Sequence, residues 1–227
     1  MMTKRIKMAS KKVFIVGGNG FARECYNNLI NLAEYGKEVV FGGFLGHNGF
    51  GKSVDYKSYQ HLYVGEVEEH KFKDNEYCII GAGYPEIRKL IYDDLKNMGV
   101  RFYTLICNGI HLSPTFKYGE ANVFVYPFYS TVNIEVGNCN VFNLQIVVGH
   151  DVKIGDFNFF GPSSQILGNV TIGNGNSFGA NSICLPNSKI GNNNKITPLS
   201  VIYKGCKDNC YMMGNPARKI GEIERTI

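Results

Sequence analysis

Hydrophobic and polar positions divide this chain into two stretches with different periods. Through residues 12–107, short β-rich apolar runs alternate with helical patterns. "KKVFIV" predicts a first strand, and the glycine turn "GGNG" follows it. In "FARECYNNLINLAEYG", Ala22, Cys25, Tyr26, Leu29 and Leu32 fall at helical spacing, with Gly36 placed as a C-cap. "EVVFGGFL" and "YCIIGAG" predict two more strands. "YPEIRKLIYDDLKNMG" predicts a helix with Pro85 in its first turn and Gly99 at its end. "RFYTLIC" closes the series. Strands alternating with helices predict a parallel sheet of Rossmann-like type.

From Leu112 the period becomes six. Sixteen hexads run from LSPTFK to IYKGCK, and fifteen begin with an apolar residue, Ser130 being the exception. The register is read as unbroken to Lys207. A period of eighteen sits on top of it: Gly119, Gly137, Gly155, Gly173 and Gly191 recur, as do Asn122, Asn140, Asn158, Asn176 and Asn194, and Phe124, Phe142, Phe160 and Phe178. Three hexads per coil predict a triangular solenoid in which equivalent residues stack in ladders. Glycine is expected here for turn conformations that a Cβ penalises, and asparagine for its tolerance of the left-handed region and its amide stacking. The first and fifth positions of each hexad should point inward.

That pattern makes "VVGHDVKIG" unusual. Of five histidines, His150 is the one well inside the repeat, and as third residue of its hexad it should lie outside the coil. Asp151 beside it can orient an imidazole and stabilise its charged form, as a general base near neutral pH requires.

Composition adds limits. The net charge of +5 is mild, with no basic run beyond the first dozen residues. No nucleic-acid face is indicated, although a polyanionic small molecule such as a nucleotide would be welcome. No apolar run approaches the ~20 residues that span a bilayer. The basic start, residues 1–11, lacks the hydrophobic segment of a signal peptide and is expected to be a disordered extension. Seven scattered cysteines fit reduced thiols in a cytoplasmic protein.

The hexads resemble the hexapeptide-repeat acyltransferases, whose fold is the left-handed parallel β-helix. The general rule for parallel crossovers would give a right-handed one, so the expected hand comes from the resemblance. A Rossmann-like N-terminal domain, a G-H-[DE] step and "GNPARKI" are similar to one subgroup, the sialic-acid O-acetyltransferases and nucleotide-amino-sugar N-acetyltransferases, including the acetyltransferase of the bacillosamine pathway. The resemblance covers nearly the whole chain from Lys11. It implies a Rossmann-like domain at 12–110, a β-helix at 111–207 and a C-terminal segment at 208–227.

The resemblance also implies a chemistry. Acetyl-CoA would be the acyl donor and a sugar the acceptor, most simply the amino group of a nucleotide-linked amino-deoxysugar in surface-glycan biosynthesis. Transfer would be direct, with His150 as general base supported by Asp151, and no metal. The subgroup usually has glutamate where Asp151 stands. Asn143 aligns with an asparagine beside the active site, Gly168 lies near the thioester, and Ala180 and Pro198 follow the pantetheine. Arg218 and Lys219 are candidates for the CoA phosphates. Gly17, Gly18, Asn19 and Gly20 are candidates for the nucleotide-sugar contact. The subgroup assembles as a homotrimer with active sites between subunits. Three positions depart from its pattern: Phe159 stands where some relatives have a second histidine, Phe21 where a histidine commonly follows the glycine turn, and Gly46-His47 where uridine-using relatives have an acidic pair.

Other classes remain open at this point. O-acetylation of sialic acid or another sugar hydroxyl is the alternative within the subgroup. A dinucleotide site is not indicated, because Gly18-x-Gly20-x-x-Arg23 lacks the third glycine and no acid ends the second strand. A γ-carbonic-anhydrase-type enzyme needs three histidines on one zinc, and only His111 and His150 lie in or beside the repeat. A non-catalytic binding protein would keep the fold and lose the chemistry.

Overall fold

The computed structural model describes residues 10–48 and 57–223. The extension expected over residues 1–11 lies, for residues 1–9, outside the described residues, and Lys11 already opens the first strand. The N-terminal elements are β1 (Lys11–Val16), α1 (Gly20–Ile30), β2 (Val39–Gly46), β3 (Tyr63–Glu66), β4 (Glu76–Ile80) and α2 (Pro85–Asn97). The sheet is parallel throughout, in the order β3-β2-β1-β4. Val13 to Val16 are all buried, the continuous apolar run that a parallel sheet covered on both faces needs.

Local structure departs from expectation at three points. α1 stops at Ile30, short of Gly36, because Asn31 Nδ2 donates to the Asn27 carbonyl at 2.7 Å and competes with the helix for it. β3 has no counterpart in the sequence pattern, since "YVGE" carries too short an apolar signal. "RFYTLIC" does not close the N-terminal sheet as one strand. Phe102 bridges Cys78 in β4, whereas Leu105–Ile106 pairs with Val123–Phe124 and opens the solenoid.

The solenoid is the expected left-handed parallel β-helix with three faces. Face one carries the strands from Leu105–Ile106 to Lys195–Ile196, face two those from Phe128–Ser130 to Val201–Ile202, and face three those from Lys117–Tyr118 to Gly205–Cys206. Inside, Phe124, Phe142, Phe160 and Phe178 stack at centroid spacings of 4.8, 4.9 and 4.8 Å. The asparagine ladder is buried, and each rung's amide and backbone N–H donate to Oδ1 of the rung before it, as Asn158 does to Asn140 at 3.0 and 2.8 Å.

The reasons for two ladders differ from those read in the sequence. The left-handed corners belong to the fourth hexad position, among them Ala121, Cys139, Asp151, Phe157 and Asn193, and not to the asparagine ladder at the fifth. The ladder asparagines are there for buried amide bonding, each bond contributing about 1 kcal/mol. The glycine ladder has ordinary φ and serves close approach. A Cβ on Gly173 would stand 2.6 Å from Asn192 Oδ1, and the other rungs meet Asn138, Asp156, Asn174 and Asp208 in the same way.

The hexad register also shortens before Lys207. Strand pairing keeps an offset of eighteen as far as the end of face two, where Cys184 meets Ile202. On the other two faces Ile190 pairs with Cys206 and Ile196 with Met212, an offset of sixteen. The last coil has therefore lost two residues, and Cys210 N–H rather than a further asparagine closes the ladder on Asn194 Oδ1 at 2.7 Å. An antiparallel hairpin follows, Cys210–Gly214 with Ala217–Glu222.

The N-terminal domain packs on face one. Val123, Val125 and Val141 join the cluster built around Val13, Ile15 and α1, and Phe159 packs against it. Ala121 and Cys139 join the cluster around α2. Among the described residues no helix is long and apolar enough to cross a membrane.

Candidate active site

His150 and Asp151 occupy the edge where face two turns into face three, between Ile146–Val148 and Lys153–Ile154. The chain must enter the left-handed region here, and Asp151 takes it with φ +58, a conformation that aspartate tolerates better than most residues. This corner presents the carboxylate to the ring. His150 Nδ1 lies 2.8 Å from Asp151 Oδ2, and Asn133 Nδ2, one coil earlier, donates to Asp151 Oδ1 at 3.0 Å. The bond from His150, then that from Asn133, holds the Asp151 carboxyl below its ordinary value of 3.8. An ionised carboxylate only accepts, so Nδ1 carries the proton and Nε2 is left with a lone pair. The histidine side chain is 57% exposed, as its hexad position required.

Nε2 lies over the next coil. A Cβ on Gly168 would stand 2.6 Å from it, and one on Gly149 would stand 2.7 Å from Gly168 N. Two glycines thus open a cleft in front of the nitrogen. Asn169 N–H donates to the His150 carbonyl at 2.8 Å, which fixes the two coils against each other. The Gly168 N–H donates to no acceptor among the described residues. The arrangement can take a proton on Nε2 and offer a backbone donor beside it.

The other expected residues divide between places. Ala180 and Pro198 lie on the edge between faces one and two, with Asn143 two coils before Ala180. They are thus separated from His150 by the width of face two. Asn143 Oδ1 is occupied by Leu144 N–H at 2.7 Å. Arg218 and Lys219 sit on the last strand, opposite Met213 and Met212, and Lys219 Nζ reaches Glu222 at 2.5 Å.

Gly17, Gly18, Asn19 and Gly20 form the turn from β1 into α1. Gly17 has φ +117, which only glycine adopts easily, and Asn19 caps α1 by accepting from Ala22 N–H at 3.3 Å. β4 lies alongside β1, so its own glycine turn, Gly81 to Gly83, flanks the first. Gly83 faces the solenoid, with the Phe159 ring 3.6 Å from where its Cβ would be. Phe159 packs toward the N-terminal domain. His47, at the tip of β2, is buried, with Nε2 2.9 Å from Asp94 and Nδ1 2.5 Å from Glu68. Among the described residues no group of three or more histidine, cysteine or acidic side chains could hold a metal.

Sequence reasoning missed two contributors, Asn133 and Gly149. Asn133 was legible, since it stands eighteen residues before Asp151 at the same corner.

Known proteins resemble the chain at the level of the fold. Residues 151–185 match the family described as bacterial transferase hexapeptide (six repeats). No curated protein matches the chain by sequence. Among solved structures, the acetyltransferase domain of PglB from Neisseria gonorrhoeae, in complex with acetyl coenzyme A, superposes with a TM-score of 0.82 at 17% identity, covering 93% of this chain and 100% of that one. PerB from Caulobacter crescentus, in complex with CoA and GDP-perosamine, gives 0.79 at 19% identity over 94% and 98% of the two chains. WeeI from Acinetobacter baumannii gives 0.69 at 20% identity over 92% and 99%.

Proposed function

We propose that the protein is an acetyl-CoA-dependent sugar N-acetyltransferase that acts on the amino group of a nucleotide-linked amino-deoxysugar, in the making of a surface glycan. The observation that carries this reading is the His150–Asp151 pair, with Nε2 aimed across a cleft cut by Gly149 and Gly168. The fold it stands on is shared, over nearly the whole chain, with the acetyl-CoA-bound domain of PglB and the GDP-perosamine-bound PerB.

In this reading His150 Nε2 takes the proton from the acceptor nitrogen as that nitrogen bonds to the acetyl carbonyl carbon. Asp151 keeps the other ring nitrogen protonated and stabilises the imidazolium. The Gly168 N–H donates to the carbonyl oxygen as it gains charge. The proton on Nε2 then goes to the departing thiolate, so the histidine ends as it began. No nucleophilic side chain is required.

The same reading calls for more than one copy of the chain. The nucleotide-sugar turn, Gly17 to Gly20, belongs to the domain that covers face one, whereas His150 stands on the edge opposite that face. A homotrimer with the site in the groove between subunits brings the Gly17–Gly20 turn of one copy to the His150 edge of another. It likewise lets the edge carrying Asn143, Ala180 and Pro198 face the edge carrying Gly168, along the path of the pantetheine. Arg218 and Lys219, at the end of the solenoid, would meet the CoA phosphates.

Incubation with acetyl-CoA and a panel of UDP-, dTDP- and GDP-linked amino-sugars, with free sialic acid alongside, tests the substrate class. Mass spectrometry of the product should show an acetamide on a nucleotide-linked sugar. An acetyl ester on sialic acid, with no transfer to any amine, would replace this reading by O-acetylation.

A further inference from the structure

Arg88, in the first turn of α2, is a charged side chain with no access to solvent. Its Nη1 donates to Ile80 O at 2.7 Å and Ala82 O at 2.8 Å, Nη2 to Ala121 O at 3.0 Å and Nε to Cys139 O at 3.1 Å. The acceptors are backbone carbonyls from the end of β4, its following turn and two solenoid corners. No carboxylate among the described residues pairs with it. A neutral amide donates to carbonyls as well, so joining the two domains does not by itself call for a charge, and burying one without a counter-ion is costly.

The surroundings say where that charge acts. The Ala82–Gly83 peptide is trans, so the Gly83 N–H points opposite to the carbonyl held by Arg88, away from the guanidinium. It donates to no acceptor among the described residues. Val16 and Ile80 are paired across β1 and β4, and a Cβ on Gly17 would stand 3.4 Å from Gly81 O, so the two glycine turns form one wall. The charge is also felt on α1: burial pushes the Cys25 thiol up to about 12, and Arg88 opposes that rise. A fixed positive charge, an oriented peptide dipole and two glycine-rich turns therefore coincide at the carboxyl ends of β1 and β4, where open α/β sheets take their ligands.

We propose that Arg88 is a positioning residue for an anionic substrate: its buried charge, and the Ala82–Gly83 peptide it orients, favour the diphosphate of a nucleotide-linked sugar at the paired glycine turns. This rests on the nucleotide-linked acceptor proposed above. It assigns substrate affinity to a side chain that the substrate never touches.

The test uses the full-length protein with Arg88→Gln and Arg88→Lys. UDP, dTDP and GDP are titrated calorimetrically into the wild type to choose the diphosphate, and that diphosphate, the matching nucleoside and CoA are then titrated into each variant. Arg88→Gln should weaken the diphosphate about tenfold or more, one decade or about 1.4 kcal/mol, with nucleoside and CoA within about threefold. Arg88→Lys should recover the diphosphate to within about threefold. Unchanged diphosphate affinity in folded Arg88→Gln overturns the proposal, as does an equal loss for nucleoside and CoA, which is what a collapsed site would give. If Arg88→Gln does not fold, Arg88→Lys decides: a loss of about tenfold confined to the diphosphate, with the charge retained, overturns it. A wild type that acetylates a free sugar and binds none of the three diphosphates removes the nucleotide-linked reading, and this proposal with it, before any variant is made.

Discussion

His150 Nε2 and Gly168 face each other across one coil of the solenoid, so closely that a methyl group on the glycine would stand 2.6 Å from the nitrogen. Gly168 has ordinary backbone angles, so Gly168→Ala is not opposed by the backbone; the cost falls on the imidazole, which must move. The variant should keep its thermal midpoint within a few degrees and lose about 100-fold or more in kcat/KM, the penalty of a misplacement near 1 Å. Steady-state kinetics beside a melting curve check this. Full activity in Gly168→Ala would mean that the face of Nε2 turned toward the glycine is not the one used.

Asp151 does two jobs that substitution separates. Asn at this position tolerates φ +58 and fills the corner, but its amide no longer fixes Nδ1 as the protonated nitrogen. Asp151→Asn should therefore keep the left-handed corner and stay folded, and lose roughly 10- to 100-fold in kcat. Asp151→Ala should lose activity and also about 1–2 kcal/mol of stability from the left-handed corner. Equal stabilities for the two variants in chemical denaturation would contradict the conformational half of this argument.

The same carboxylate predicts a pH behaviour. Its native pKa lies below 3.8, so the stability that the pair contributes is fully present above that value and is lost as pH falls through the lowered one. Between pH 5 and 8 Asp151 stays ionised, and no titration in the rate profile over that range belongs to it. Removing the second donor with Asn133→Ala should raise the carboxyl's pKa toward 3.8, measurable by NMR titration of the side chain. An unchanged value would show that the Asn133 bond does not form in solution.

The ladders were the most legible part of the molecule, and the reasons behind them the least. Periodicity at eighteen fixes which residues stack, because a solenoid repeats its environment once per coil. It does not say why glycine recurs: the cause is the Asn or Asp side chain of the next coil, as at Gly173 and Asn192, and that is visible only once the coils are stacked. His150 and Asp151 stood out because the third and fourth hexad positions face outward and carry neither the phenylalanine, the glycine nor the asparagine ladder. Arg88 did not stand out, since its four carbonyl partners come from residues six to 51 positions away and a helical wheel records none of them. The shortened last coil was hidden because Ile202 and Cys206 both remain apolar on either side of the missing two residues.

The asparagine ladder makes a prediction about stability. Asn158 donates to Asn140 and to the Gly173 carbonyl at 2.9 Å, and accepts from both the amide and the backbone N–H of Asn176 at 2.9 Å. Asn158→Leu has nearly the right volume, but it strands the buried donors of Asn176. It should lower the unfolding free energy by about 2–4 kcal/mol. A loss below about 0.5 kcal/mol in urea titration would show that the amides contribute packing alone.

The most direct test of the whole account is His150→Ala, in an assay that follows release of free thiol from acetyl-CoA in the presence of the best amino-sugar acceptor. A general base contributes about 10²- to 10⁴-fold to such a reaction. The variant should therefore lose at least about 100-fold in kcat, with the KM for acetyl-CoA changed by no more than a few-fold. Turnover equal to that of the wild type would contradict the role given to His150 and, with it, the mechanism.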